Sequence, residues 1–219
     1  MIHFLEVTKY YGNRLVFDHL SCQIPSGTVS CLMGETGSGK TTFMQLILNQ
    51  VFPEGGKILF YHQELKKLKG KSLAQHRREI GWIPQSPWFL RDRNVRENLE
   101  LLARIDGKPP EEIRRDREEV AEQLGLTPLL ELPMDKLSMG ERQLVQIARV
   151  VVRKPLVVLA EEPLQFLDPP VAEVIQQQFF QMANHSEVTV LVSSSLPKMW
   201  THPYLNHYRI HHYQIEERE

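Results

Sequence analysis

The chain has 219 residues, 42% of them hydrophobic and 24% charged, with 26 Lys and Arg against 27 Asp and Glu for a formal net charge of -1. At a scale of about 150 residues per domain this is one large domain, or one with a sub-domain, able to bury a core without disulfide or metal staples. The neutral balance argues against a dominant electrostatic grip on nucleic acid. No apolar run reaches membrane-span length, and Met1-Ile2-His3-Phe4 lacks the basic region of a secretory signal.

In chain order, Ile2 to Val7 is rich in β formers and ends at the turn Tyr11-Gly12-Asn13. A second apolar stretch reaches Ile24 and is broken by Pro25-Ser26-Gly27. Cys22 and Cys31 flank that turn and read as small buried thiols in a reducing cytosol. Thr28 to Met33 predicts a short strand, and Thr41 to Gln50 a helix with Phe43, Leu46, Ile47 and Gln50 on one face. Lys57 to Tyr61 predicts a further strand after Pro53-Glu54-Gly55-Gly56. From about Val95 to Leu132 the chain reads as helical and charge-laden, divided by Gly107-Lys108-Pro109-Pro110. A helix then runs to about Arg153, Leu156 to Ala160 is an apolar strand, a helix follows Pro170, and Val188 to Val192 is a strand. Short apolar strands separated by helices predict an α/β fold with a buried, largely parallel sheet.

Three segments carry chemistry. Gly34-Glu35-Thr36-Gly37-Ser38-Gly39-Lys40-Thr41 matches G-x-x-x-x-G-K-[ST] between a strand and a helix. Glycines let successive N–H groups face a phosphate, and the helix N-terminus adds partial positive charge. Lys40 is placed to reach β- and γ-phosphates, and the Thr41 hydroxyl to complete Mg²⁺ coordination. The strand Leu156 to Ala160 ends in Glu161-Glu162 and delivers carboxylates to the carboxyl edge of a parallel sheet, where ligands bind. One would serve a metal's hydration shell, the other a water. The third, Leu137-Ser138-Met139-Gly140-Glu141-Arg142-Gln143, places Ser and Gly before a helix. By itself that is an ordinary cap; its position about twenty residues before the acidic strand strengthens an anion-site reading.

With these motifs in this order, the chain resembles the ATP-binding cassette (ABC) ATPases over its whole length. Gly34 to Thr42 resembles the Walker A loop, Gln85 the Q-loop glutamine, Leu137 to Gln143 the signature, Leu156 to Glu162 Walker B, and Phe166-Leu167-Asp168 the D-loop. Tyr11 falls where the family stacks an aromatic on adenine. The resemblance implies a single nucleotide-binding domain over 1–219. It would have a P-loop RecA-like core, an N-terminal antiparallel β subdomain and a helical subdomain over approximately 86–150. ATP and Mg²⁺ are the implied cofactors. Nucleotide contacts are expected from Tyr11, Gly34, Glu35, Thr36, Gly37, Ser38, Gly39, Lys40, Thr41 and Thr42, with Ser138, Gly140 and Glu141 acting across a dimer. The Ser138–Gly140 helix end is expected to satisfy its N–H groups only by meeting a phosphate. Thr41, Gln85 and Glu161 are expected at the metal, and Glu162, Gln85 and Ser195 at the reaction.

Within the family the sub-family most resembled is the cell-division ATPase FtsE. The carrying segments are Met1 to Tyr11, Gly56 to Phe60, Arg91 to Val95 and Val151 to Pro155. This implies a homodimer formed on ATP binding, an FtsX-like integral membrane partner, no nucleic acid, and a cytoplasmic place on the inner face of the cell membrane. The alternatives are the ATPase of a lipoprotein-release or tripartite-efflux transporter, and a nucleotide-binding module with negligible hydrolysis. Pro84 to Leu90 borders the family's groove for a membrane partner, although by count alone Trp88 and Phe89 read as core.

Three departures stand out. Walker B ends Glu161-Glu162 rather than Asp-Glu, lengthening the metal-side acid by a methylene where Mg²⁺ demands near-ideal geometry. Met139 replaces a signature glycine. After the strand Val188 to Val192, where the family has a switch histidine, the chain reads Ser193-Ser194-Ser195. A serine reaches less far and carries no positive charge, so slow hydrolysis is expected. His207, His211 and His212 read as strand-surface residues.

Overall fold

The computed structural model describes residues 1–196, 199–200 and 202–218. Strands β1 (Ile2–Tyr11) and β2 (Arg14–Ile24) form a hairpin closed by Gly12-Asn13. Asn and Gly are the residues that tight hairpin turns require. β3 (Val29–Met33) runs through the glycine loop into α1 (Lys40–Ile47). β4 (Gly55–Phe60) and β5 (Gln63–Glu64) follow, then α2 (Gly70–Glu79) and β6 (Ile80–Ile83). The helical middle comprises α3 (Val95–Ile105), α4 (Pro110–Gln123) and α5 (Met139–Arg153). β7 (Val157–Glu161), α6 (Pro169–Ser186), β8 (Thr189–Ser194), β9 (Leu205–His211) and β10 (Gln214–Arg218) complete the chain.

These strands make two sheets. One is antiparallel, in the order β2-β1-β4-β5; the other has six strands in the order β10-β9-β3-β8-β7-β6. All neighbours in the second are parallel except the β9–β10 hairpin. Its central strands are buried on both faces. Val157 and Leu159 of β7 join Phe43 and Ile47 of α1 and Phe4 of β1 in one core. Val158 and Ala160 join Val145 and Ala148 of α5 and Phe179 of α6 in the other. Side chains alternate along a strand, which is why the run Leu156 to Ala160 is apolar throughout. Burying each such Val or Leu contributes about 1.5–3 kcal/mol.

Several elements differ from the pattern reading. α1 ends at Ile47, and Gln50 lies beyond it, exposed. α2 and β6 were not expected: α2 is polar with only His76 buried, and β6 has four residues. β6 passes so close under α5 that a Cβ on Gly81 would lie 2.3 Å from Val150 Cγ1. The β9–β10 hairpin puts His207, His211 and His212 on strand and turn. Cys22 and Cys31 lie in different sheets, and burial pushes both thiols up to about 12, with Glu217 and Glu162 adding to the respective shifts.

Candidate functional site

The phosphate-loop motif adopts the geometry its glycines permit. Gly39 caps α1 at φ 111°, in the region that L side chains rarely adopt, and a Cβ there would meet Val16 Cγ1 at 2.9 Å. Lys40 Nζ donates to the carbonyls of Gly34 at 2.6 Å and Glu35 at 3.1 Å, and Arg14 Nη2 donates to that of Gly37 at 3.0 Å. Burial lowers the Lys40 pKa, while Glu162 and Glu161 pull it back up. The loop's carbonyls thus point at cations.

Above this loop opens a cavity of about 470 Å³. Tyr11, Thr36, Gly37, Gly39, Lys40, Thr41, Thr42, Gln85, Glu161, Glu162 and Ser195 line it. Tyr11 lies at the β1 end, its hydroxyl 3.3 Å from Gln45 Oε1 and its ring 5.1 Å from the Lys9 ammonium. Glu161 continues the side of β7 that carries Val157 and Leu159 towards α1, and its buried Oε1 has no hydrogen-bond partner. Glu162 has φ 43°, a strained position for a side chain. Its backbone N–H donates to the Ser193 carbonyl at 3.2 Å. Gln85 Nε2 donates to Gln165 Oε1 at 3.3 Å.

Other expected residues lie elsewhere. Glu35 and Ser38 face a neighbouring cavity bounded by the β9–β10 turn, and Gly34 packs beneath Ser38, whose Oγ is 2.5 Å from where a Gly34 Cβ would be. Ser138, Gly140 and Glu141 stand at the α5 N-terminus, outside the cavity. There the expectation that only a phosphate could satisfy the helix end is corrected. Ser138 Oγ accepts from the Glu141 N–H at 3.2 Å, and the Glu141 carboxylate accepts from Ser138 N–H at 2.7 Å. This capping box pairs the Glu141 amide and lowers the Glu141 pKa through the Ser138 backbone and hydroxyl. Among the described residues only the Met139 and Gly140 amides at that end lack an acceptor. Gly140 approaches the segment Phe166-Leu167-Asp168 so closely that a Cβ would lie 2.9 Å from the Phe166 carbonyl oxygen.

The serine triplet divides at the end of β8. Ser193 and Ser195 line the cavity, the first buried in β8 and the second exposed just past its end, whereas Ser194, buried like Ser193, is not among the lining residues and bonds the Leu196 backbone through its Oγ. Sequence reasoning missed Arg14, Val16 and Ser193 as cavity residues. The period-2 signal could have found Ser193; Arg14 is recruited only by hairpin closure, where it pairs with Tyr11. Trp88, read by count as core, is 58% exposed. With Phe89, Met134, Met139 and Arg91 it lines a groove of about 680 Å³. A lysine, hydroxyls, an amide, two carboxylates and an aromatic lining one cavity suit a polyphosphate nucleotide and a hard cation.

Residues 17–165 match the ABC transporter family. The chain belongs to that family, as an ABC ATPase nucleotide-binding subunit. It is 36% identical over 195 residues to the cell division ATP-binding protein FtsE of Escherichia coli, covering 89% of this chain and 87% of that one. It is 31% identical over 193 residues to the lipoprotein-releasing system ATP-binding protein LolD of Bacteroides fragilis, covering 88% and 89%. Among solved structures, a dimeric post-hydrolysis ATP-binding cassette bound to ADP and Pi superposes with a TM-score of 0.90 over 100% of this chain and 98% of that one. At 24% identity, that likeness establishes the ABC ATPase fold.

Proposed function

We propose that this chain is the ATP-hydrolysing subunit of an FtsEX-like complex, peripheral on the inner face of the cell membrane. It would couple nucleotide-driven dimerisation to an FtsX-like membrane partner in cell division and the control of cell-wall hydrolases. The observation that carries the hydrolytic part is the meeting of Lys40, Thr41, Gln85, Glu161 and Glu162 in one cavity. Similarity to FtsE over 89% of the chain supports the cell-division part.

In this reading adenine stacks on Tyr11, and Lys40 leaves the Gly34 and Glu35 carbonyls for the β- and γ-phosphates. The donor set fits Mg²⁺: the unpartnered buried Glu161 Oε1, the Thr41 hydroxyl and Gln85 are hard oxygen ligands in one cavity. An ion held by these residues would supply charge neutralisation on the phosphate oxygens. Glu162 orients the attacking water and takes its proton, and Ser195 donates to the γ-phosphate. A second copy presents its Met139 and Gly140 amides, with Ser138, to the same phosphate. Closure is passed to the membrane partner through the Trp88–Phe89 groove. Among the described residues no helix is long and apolar enough to cross a membrane.

The neutral Ser195 favours a second reading, a module that binds ATP, closes and hydrolyses too slowly to matter. The likeness to LolD supports a third, a lipoprotein-release or tripartite-efflux ATPase. Co-expression with an FtsX-like protein and with a lipoprotein-release permease, followed by ATPase assay, tests all three. A stable complex and stimulated turnover with the FtsX-like protein alone are expected. Pairing with the permease instead overturns the cell-division reading, and no turnover in either complex leaves the holding module.

A further inference from the structure

We propose that Gln146 is a positioning residue for Gln85: its buried side-chain amide clamps the strap that carries both Gln85 and the aromatic groove. Gln146 lies on α5 about two turns beyond Ser138 and is 0% exposed. Its Oε1 accepts from the Trp88 N–H at 3.0 Å, and its Nε2 donates to the Pro84 carbonyl at 2.7 Å. These two backbone groups bracket Gln85. A buried amide is costly unless both of its ends are paired, and here each end is paired to the strap.

The far end of the strap is held in the same way. Asn98 on α3, also fully buried, accepts from the Leu90 N–H at 2.9 Å and donates to the carbonyls of Leu90 at 3.1 Å and Asn94 at 2.9 Å. Residues 84–94 are therefore pinned by two buried amides to α3 and α5. Trp88 is held at the first pin by its backbone N–H with its side chain in the groove, Phe89 lies between the pins, and Gln85 lies inside the first. Fully satisfied buried polar groups rigidify what they join. A load on the groove reaches Gln85 as a movement of the strap with its two helices, without dissipating in a loose loop.

The proposal rests on Gln85 being a metal-side ligand, and its test separates the two ideas. ATP affinity is measured on the full chain in EDTA and in Mg²⁺ for wild type, Gln146→Met, Gln85→Ala and the double variant, with amide hydrogen exchange over residues 84–90. Affinity in EDTA is expected to be unchanged. The gain on adding Mg²⁺ is expected to fall about tenfold in each single variant, as for supporting residues around metal sites, and no further in the double. The Trp88 amide is expected to exchange faster in Gln146→Met. A folded Gln146→Met with the full Mg²⁺ gain, while Gln85→Ala loses it, overturns the clamp alone. Equal losses with and without Mg²⁺ overturn it too, since they mark general loosening. Gln85→Ala with its gain intact overturns the metal-side reading and the proposal with it. If Gln146→Met does not fold, Gln146→Glu keeps the acceptor for Trp88 and loses the donor to Pro84, and a partial loss is expected. Fast exchange of the Trp88 amide in the wild type overturns the clamp whatever the variants do.

Discussion

Placing a histidine at Ser195 tests how the missing switch residue limits catalysis. Ser193 and Ser195 face the cavity that holds Lys40 and Glu162, whereas the buried Ser194 is not among its lining residues and is bonded to the Leu196 backbone. Losing a preorganised donor to developing charge costs about 2.7–4 kcal/mol. Ser195 retains a neutral hydroxyl, so Ser195→His is expected to recover part of this, roughly 10- to 100-fold in turnover. Ser194→His should behave oppositely. Overpacking costs about 1–3 kcal/mol, and an unpaired ring nitrogen roughly 1–3 kcal/mol more. Together these approach the net stability of a domain, about 5–15 kcal/mol. The assay is phosphate release at saturating MgATP, with thermal melting of each variant. If Ser195→His folds and is no faster, while Glu162→Gln abolishes release, the missing histidine is not the handicap. If Ser194→His folds normally and is the faster variant, the choice of Ser195 over Ser194 is wrong.

Three further outcomes are expected. Lys40→Ala should weaken MgATP binding at least about tenfold, because charge-assisted contacts are worth about 1.5–3 kcal/mol each; calorimetric titration checks it, and unchanged affinity removes Lys40 from the phosphate site. Glu162→Gln should bind ATP, accumulate a dimer by light scattering and lose about 10²–10⁴ of its hydrolysis; hydrolysis at the wild-type rate, with Glu161→Gln inactive, reverses the two roles. The third concerns Asp116, whose side chain is fully buried beside Lys154 at 2.8 Å and Lys108 at 3.7 Å. Burial pushes its pKa up, but Lys154, Lys108 and Arg115 outweigh this and hold it below the usual aspartate value. A depressed carboxyl contributes stability that is complete above about pH 3.9 and is lost as pH falls through its folded pKa. Lys154→Met should therefore move acid unfolding to higher pH, which circular dichroism against pH would show; an unmoved midpoint refutes the coupling.

Local chemistry made much of this protein legible in sequence. The glycine spacing of Gly34 to Lys40 encodes a backbone turn by itself, since only glycine accepts φ 111° at Gly39. The apolar run Leu156 to Ala160 encodes a strand buried on both faces. The acids at its end and the motif order then placed most of the cavity residues. What the sequence left undecided depends on distant partners. Whether the Ser138 helix end is open or capped depends on which way Glu141 turns, and it turns back onto Ser138. Trp88 reads as core by composition, yet the strap between Gln146 and Asn98 leaves it in an exposed groove. Arg14 reaches Gly37 only because the β1–β2 hairpin folds over the phosphate loop. Periodicity reports which face of an element is apolar, and motifs report local backbone shape. Neither reports which buried amide will meet which carbonyl 62 positions away, as Gln146 meets Pro84; that pairing exists only once α5 has packed against the strap, where the cost of an unpaired buried group selects it.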